Sequence, residues 1–553
     1  MSAPTPLDDP RVPPAEPEAR PRPDRGWRGA AAGETAAVAG LALAVRLRGI
    51  AHEPWGDELY HILSAQQYLD SGVFGINGGV YERGRVYSEL VAALYRVFGV
   101  DPVVARLPAL IAGVLTIALL FFWVRRSGER LAAWVAAVLL IFTPDLIEQA
   151  QYARFYTLQH LFLLVAAVAL YQLLAEPRGS AARTSTLCVT GGMGLALAMY
   201  FQPLTAIGAA GLALGAAILL VPGFVARLTR PQRVLLVAGT AATLLVVFVL
   251  IRDAEIVRRV AARAAYSDLW AEGTRTEIRF YHWQLLDNYA TAWTLFPVFA
   301  MLALARQRRL ATLALAVFTL GFVTHTLMAW KAARYILYLL PFFAVIVGLA
   351  VAQAIPLVAS AVAALAPGRT RSAAFVRGLA WAGAIGFLVV TNGAFMQSAR
   401  RLMRDQSVLY PGGPTPTLSW QLAASTLRPL ASEASAVVST EDLEAIWFLN
   451  RLDYVLDRDH LPRNTESAEF WLDRRVMART IGETASLQRV MECHPSGLLI
   501  AMRWALASYK MKPETADFIV QTLAPVPLPE RTGLVAFRWS RPAGAGDDRE
   551  CSE

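Results

Sequence analysis

The chain has 553 residues, of which 55% are hydrophobic and only 17% are charged, whereas an ordinary soluble protein carries about 25% charged residues. This deficit predicts long segments in contact with lipid rather than one large soluble core. The net charge of +9 is spread over short gaps between apolar segments. Nucleic-acid binding needs a clustered basic face with interleaved aromatic residues, so a nucleic-acid partner is excluded. Three cysteines are too few and too scattered for a disulfide framework or a cysteine-based metal site.

Residues 1–28 are rich in Pro, Ala and charged residues and are predicted to form a disordered cytoplasmic tail rather than a signal peptide. Residues 29–397 contain segments that approach the roughly 20 apolar residues a membrane-spanning helix needs. Eleven candidate spans can be assigned, the third and fifth being short: Ala30–Ile50, Val103–Val124, Leu131–Thr143, Thr157–Leu174, Leu187–Tyr200, Leu204–Val221, Val234–Ile251, Tyr289–Leu304, Leu310–Trp330, Tyr335–Leu365 and Leu379–Phe395.

The distribution of arginine predicts the orientation in the membrane, because cytoplasmic loops carry an excess of Lys and Arg. The N-terminal tail carries five arginines at positions 11, 20, 22, 25 and 28, so the N-terminus is placed in the cytoplasm. Alternation then makes compact Arg-bearing gaps cytoplasmic and leaves everything after the eleventh span outside. The sequence therefore predicts a multi-pass protein of the cell (inner) membrane with its working face on the extracytoplasmic side.

Residues 398–553 show the mixed patterning of a soluble protein and are predicted to form an extracytoplasmic α/β domain. A helix is predicted over Asp442–Leu449. Four short β-like segments surround or follow it: Val437–Ser439, Tyr454–Leu456, Leu498–Ile500 and Leu534–Phe537. The fold class is thus mostly α, a polytopic helical bundle followed by an α/β domain.

Adjacent carboxylates follow the first span, in the segment Trp55-Gly-Asp57-Glu58. Asp57 could cap the next helix, with Glu58 favourable near the positive end of the helix dipole. The alternative is catalysis, in which Asp57, supported by Glu58, accepts the proton of a hydroxyl as that oxygen forms a bond to carbon.

Two further outside segments contain charged residues suited to binding a phosphate. Arg154 could extend toward lipid head groups, or its guanidinium could pair with a phosphate. Lys331 and Arg334 lie outside against the positive-inside bias, three positions apart and so on one helical face, either as membrane anchors or as phosphate ligands. The candidate substrate-binding residues are Asp145, Glu148, Arg154, Tyr156, Lys331, Arg334 and Tyr335.

No cofactor is predicted. The histidines lack the spacing of a metal site, and the sequence contains no Gly-rich phosphate loop. An energy-coupled pump is therefore not supported.

Four elements in order resemble the GT-C type membrane glycosyltransferases, in the superfamily of protein O-mannosyltransferases and lipid A aminoarabinose transferases. They are the Asp57-Glu58 pair, the segment from Phe98 to Gly113, the segment from Pro144 to Tyr156, and Arg334-Tyr335 ahead of Pro341. The resemblance implies a polyprenyl-phosphate-linked sugar donor, an inverting transfer without metal, and chemistry at the outer face. It also favours Asp57 as the base.

With two departures from the family's pattern, the chain resembles a divergent member of that group. A His-Pro-Pro-Leu element common in the family is replaced by the segment from Arg83 to Leu90, and a histidine near the end of the fifth span is replaced by Gln202. Two other classes of protein compete with the enzyme. A lipid or glycan transporter would be expected to show duplicated halves and charges at the membrane midplane, and a scaffold would leave Asp57, Arg154 and Arg334 without a role.

Overall fold

The computed structural model describes residues 25–175, 180–226, 229–231, 276–328, 331–365, 419–458, 461, 470–507, 511–529 and 532–540, with scattered positions between 378 and 403. The predicted span Val234–Ile251 lies outside the described residues, and Leu379–Phe395 lies almost entirely outside them.

Within the described ranges, thirteen α-helices precede the C-terminal sheet. They are α1 (Arg25–Leu47), α2 (Leu59–Ser71), α3 (Arg85–Phe98), α4 (Pro102–Arg126), α5 (Arg130–Ile141), α6 (Pro144–Ala150), α7 (Tyr156–Ala175), α8 (Ala181–Phe201), α9 (Thr205–Ala226), α10 (Phe280–Thr294), α11 (Phe296–Arg306), α12 (Arg308–Leu327) and α13 (Leu340–Leu365). Seven single helical segments are long and apolar enough to cross a membrane, and two bent pairs raise the number to nine. The protein is therefore a multi-pass membrane protein, while the count of eleven spans stays a prediction.

Proline explains the position of both bends. The third predicted span is not one straight helix, because α5 ends at Ile141 and α6 starts at Pro144, turned by 67°. Pro144 has no N–H to continue α5 but fits the first turn of a new helix. Likewise, α10 and α11 meet at 55° where Pro297 occupies the first turn of α11. The first bend turns α6 away from α5 and toward the loops that carry the candidate site.

Among the seven single candidate spans of the described residues, Ala333–Ala361, which contains most of α13, is the most buried. Gly348 allows its close approach to α5, since a Cβ there would lie 2.4 Å from the Ala132 carbonyl oxygen. Such small-residue contacts are typical of helix packing in membranes. Near the C-terminal end of α1, the buried Arg46 donates to the Leu140 and Ile141 carbonyls at 3.2 and 3.3 Å. It thereby satisfies carbonyls at the end of α5 that lack a partner within the helix.

The C-terminal part of the chain forms a seven-stranded sheet with helices. Its elements are α14 (Trp420–Glu433), β1 (Ala436–Ser439), α15 (Asp442–Leu449), β2 (Tyr454–Leu456), β3 (Trp471–Asp473), β4 (Ala478–Ile481), α16 (Thr484–Cys493), β5 (Ser496–Met502), α17 (Pro513–Thr522), β6 (Ala524–Val526) and β7 (Leu534–Ser540). The strand order is β3-β4-β2-β1-β5-β7-β6, parallel from β4 to β5 and antiparallel at both edges. All four predicted strands and the predicted helix are confirmed, whereas β3, β4 and β6 were not predicted.

The C-terminal sheet domain packs on the segment between α1 and α4. Glu53 accepts hydrogen bonds from the Ser419 hydroxyl and the Gln421 amide, each at 3.0 Å, at the start of α14. Further along the segment, the Val80 amide donates to the Arg474 carbonyl at 3.1 Å. A shared hydrophobic cluster, which includes residues of α2, α3 and α15, lies beneath these contacts. The C-terminal domain thus packs directly on the segment that contains Asp57 and Glu58.

Candidate active site

The two adjacent carboxylates of the first outside segment lie in a single 3₁₀ turn, Gly56–Glu58, which leads into α2. The turn begins with Gly56 at φ +55°, a left-handed conformation that favours glycine. No side-chain capping bond is made at the start of α2. Asp57 is therefore not the helix cap that one interpretation of the sequence proposed.

Glu58 is fully buried and saturated with hydrogen bonds. Its two oxygens accept from Arg106 Nε at 2.9 Å and Nη2 at 2.6 Å. They also accept from the backbone amides of Trp55 and Ala153, at 3.2 and 3.1 Å. Arg106 in turn donates to the Ile50 and His52 carbonyls. This bidentate pair joins three segments of the chain, so Glu58 supports the turn from within rather than facing a substrate.

Asp57, by contrast, keeps 36% of its side chain exposed and lies between two arginines. Its Oδ2 atom is 3.3 Å from Arg154 Nη2 and 3.4 Å from Arg334 Nη2. The structure thus brings together three predicted site residues that are far apart in sequence. A partly exposed carboxylate beside two guanidinium groups forms a site that could hold an anion next to a proton acceptor.

The two arginines differ in how they are held. Arg154 is only 2% exposed, and its Nη1 donates to the Asp57 carbonyl at 3.1 Å and the Tyr81 hydroxyl at 3.2 Å. Arg334 keeps 40% of its side chain exposed and has only the one carboxylate contact among its described ion pairs. Arg154 is therefore fixed to the turn Gly56–Glu58, and Arg334 is the more accessible of the two charges.

Aromatic rings orient both guanidinium groups. Tyr156 lies beneath both, with its ring centroid 5.9 Å from the guanidinium carbon of Arg154 and 5.8 Å from that of Arg334. Arg334 also lies over Tyr335 at 5.7 Å. A guanidinium stays protonated at ordinary pH, and the Asp57 carboxylate beside Arg334 favours its charged form. Arg334 thus carries its positive charge at any pH of interest.

Lys331 does not share a helical face with Arg334, and that prediction is wrong. Lys331 lies in non-helical chain, and only Ala333–Tyr335 form a 3₁₀ turn. The Lys331 ammonium is buried and donates to the Thr276 and Met328 carbonyls at 2.9 and 2.7 Å. Two of the three ammonium donors are thus used and the side chain is fully buried, so the assignment of Lys331 as a substrate ligand stays a prediction.

Asp145 and Glu148 lie on α6, which the bend after α5 turns toward the site. Asp145 Oδ2 accepts from Gln284 Nε2 at 2.9 Å and from Asn288 Nδ2 at 3.3 Å, which ties α6 to α10. Glu148, half-buried, lies within electrostatic range of both Asp145 and Arg334. Glu148 is thus the nearer link between α6 and Arg334, and substrate binding by Asp145 and Glu148 stays a prediction.

Several residues of the site were not singled out from the sequence. Arg106 could have been found from the sequence, because it is a charged residue near the end of a predicted span. The same argument had been applied to Arg334. Tyr81 and His61 offered none, because their importance depends on neighbours distant in sequence. His61 donates to or accepts from the Ser88 hydroxyl at 2.8 Å. Burial lowers its pKa well below the ordinary value, so the ring is neutral.

The apolar helices, the bent α5–α6 pair and the C-terminal sheet form a polytopic helical bundle followed by an α/β domain, the fold class that the sequence predicted. Among solved structures the chain is similar to ArnT from Cupriavidus metallidurans. With ArnT bound to undecaprenyl phosphate the TM-score is 0.55 at 16% identity, covering 94% of this chain and 99% of that one. With ArnT in the apo state the TM-score is 0.52 at 16% identity, covering 92% and 98%. No family model matches the chain, and no curated protein is significantly similar to it.

Proposed function

We propose that the chain is a membrane glycosyltransferase that moves a sugar from a polyprenyl-phosphate donor to an acceptor at the outer face of the membrane. The observation that carries this proposal is the half-exposed Asp57 carboxylate between Arg154 and Arg334. The fold shared with ArnT, which has been solved with undecaprenyl phosphate, supports a lipid phosphate as the anionic partner.

Arg334 is the proposed ligand of the donor phosphate. In the described state its Nη2 is 3.4 Å from Asp57, a long contact for a charge-assisted bond. A phosphate that approaches Arg334 would compete with Asp57 for this guanidinium, because both are anions. Once Arg334 binds the phosphate, Asp57 keeps Arg154 as its partner and gains a free lone pair.

The transfer then follows from the positions of these groups. The acceptor oxygen attacks the anomeric carbon while Asp57 takes its proton. The bond between that carbon and the phosphate oxygen breaks on the opposite side, and the phosphate leaves with the electron pair. Arg334 stabilises the charge that develops on the phosphate. A single displacement inverts the anomeric centre, and every step uses side chains of this chain alone, which is the basis for proposing metal independence.

Arg154 is assigned a positioning role in addition to its charge. It contacts the side chain and the backbone carbonyl of Asp57 and is fixed by Tyr81. These contacts leave it less free than Arg334 to turn toward a ligand. Asp145 and Glu148, beside Arg334, are proposed to contact the sugar.

The experiment that tests the function uses the full chain in lipid nanodiscs with a panel of polyprenyl-phosphate sugars. We expect one donor to be consumed, and the variant Arg334→Ala to bind it about 10- to 100-fold more weakly, the equivalent of losing a charge-assisted contact of about 1.5–3 kcal/mol. Affinity is measured by isothermal titration with the wild type and the variant in parallel.

Arg308→Ala is the matched control, because Arg308 is exposed at the opposite end of α12 from Arg334. Equal donor affinity in wild type, Arg308→Ala and Arg334→Ala would reduce Arg334 to a membrane anchor. Movement of the intact lipid across the membrane without cleavage of the donor would contradict the transferase and favour a transporter.

We further propose that the N-terminus is cytoplasmic, that residues 29–397 form the catalytic membrane domain, and that residues 398–553 lie outside. The alternating arginine-bearing gaps support this orientation. Reporter fusions after Leu174 and after Ser407 are expected to report cytoplasmic and external locations, respectively. A report of the same side from both fusions would contradict the orientation.

A further inference from the structure

The C-terminal sheet domain contacts the turn Gly56–Glu58 through one short hydrogen bond. The amide of Gly56 donates to Glu444 Oε1 at 2.6 Å, across 388 residues of sequence. Glu444 lies in the first turn of α15 and is only 4% exposed. The bond therefore joins the residue immediately before Asp57 to the domain that covers the site.

The conformation of Gly56 leaves little room for another residue at this position. Gly56 has φ +55°, and a Cβ at this position would lie 3.2 Å from the Tyr152 hydroxyl. Its partly buried N–H needs an acceptor, because a buried amide without a partner costs free energy. A carboxylate provides a strong, charge-assisted one. Glu444 thus fixes the peptide plane between Trp55 and Gly56, one residue before Asp57.

A second contact from the same domain reaches the partner of Asp57. Arg475 Nη1 donates to the Tyr60 hydroxyl at 2.5 Å. Tyr60 stacks on Tyr81 with ring centroids 4.7 Å apart. Tyr81 accepts a hydrogen bond from Arg154, which holds Asp57. The domain therefore contacts the surroundings of the Asp57 carboxylate by two routes, through the Gly56 backbone and through the residues that hold Arg154.

We propose that Glu444 is a positioning residue for the transfer, acting through the Gly56 amide to hold Asp57 against the donor. This inference rests on the proposed function, since it assigns part of the same active centre to the C-terminal domain. The domain is then a structural component of the catalytic site in addition to a cover over it.

The test compares three variants of the full chain in nanodiscs. Glu444→Ala removes the acceptor of the Gly56 amide, Glu444→Asp withdraws it by one methylene, and Glu444→Gln keeps an amide oxygen in its place. We expect kcat to fall by about 10²-fold in Glu444→Ala, the cost of a displacement of about 1 Å at a catalytic group. We expect a smaller fall in Glu444→Asp, most of the transfer retained in Glu444→Gln, and an unchanged KM for the donor.

Hydrogen exchange of the peptide that contains residues 55–58 gives a readout independent of activity. Exchange should be faster in Glu444→Ala and Glu444→Asp than in the wild type, and close to wild type in Glu444→Gln. Glu433→Ala, an exposed change on α14 of the same domain, should match the wild type in both measurements. Glu444→Asp serves in place of the alanine variant if that variant does not fold.

Wild-type kcat in Glu444→Ala or, if it does not fold, in Glu444→Asp would overturn the inference. Equal losses in the Gln and Ala variants would also overturn it, because they would indicate a general effect on folding. A wild-type protein that transfers no sugar contradicts the proposed function instead. Hydrogen exchange then decides whether Glu444 holds the turn. Unchanged exchange in the variants would overturn the positioning role of Glu444.

Discussion

Replacing Asp57 with Asn is expected to lower the rate of sugar transfer by about 10²- to 10⁴-fold, the usual cost of removing a general base. Asn has nearly the same shape as Asp, and its oxygen can still accept from Arg154, so the turn should keep its geometry. It cannot take a proton from the acceptor hydroxyl. The variant should therefore bind the donor and unfold at the wild-type temperature while failing to turn over.

Asp101→Asn is a suitable control for this experiment. Asp101 caps α4 by accepting from the Val103 amide at 2.7 Å, and Asn is about as good a cap as Asp. This variant should keep both stability and activity. An active Asp57→Asn variant would remove Asp57 as the base and pass the role to Asp145, because the lone pairs of Glu58 are already used.

Replacing Glu58 with Gln is expected to lower the free energy of unfolding by about 3–5 kcal/mol, the cost of leaving one partner of a buried ion pair uncompensated. Arg106, fully buried beside it, would retain its charge without a counterion. The expected result is a lower midpoint of thermal unfolding in nanodiscs, with any loss of activity following the loss of folded protein.

The pair formed by Arg85 and Glu89 provides the comparison. It is an exposed pair on α3 with about half of each side chain accessible, and such pairs contribute about 0–1 kcal/mol. Glu89→Gln should therefore leave the unfolding midpoint almost unchanged. If Glu58→Gln behaves in the same way, the bidentate pair does not hold the outside loops together, and a direct part for Glu58 in the chemistry returns to consideration.

Local patterns were enough to predict the elements whose cause is local. The helix Asp442–Leu449 has the predicted bounds, since acidic residues open it and apolar residues fill it. Strands β1 and β2 are short apolar segments buried on both faces, as expected at the centre of a parallel sheet. The three-residue strands β3 and β6 are partly exposed, so their pairing depends on neighbours that no local pattern records.

The candidate site shows the same division. Asp57, Arg154 and Arg334 could be proposed because a charge at the outer end of an apolar segment is visible in the sequence. The different roles of Asp57 and Glu58 could not be predicted from the sequence, since the difference depends on the contacts of Glu58 with Arg106 and the Ala153 amide. The error over Lys331 arose because a spacing of three residues was taken as helical. That chain is extended where Lys331 turns to the Thr276 carbonyl.

The hydrogen bond between Gly56 and Glu444 also has a consequence for biosynthesis. The ribosome completes the turn that carries Asp57 long before it reaches α15, with helices α2 to α13 synthesised in between. A nascent chain that has not reached Glu444 carries Asp57, Arg154 and Arg334 but lacks the acceptor of the Gly56 amide. On the role proposed for Glu444, transfer therefore reaches its full rate only after synthesis has passed residue 444, and shorter chains would consume lipid-linked sugar about 10²-fold more slowly.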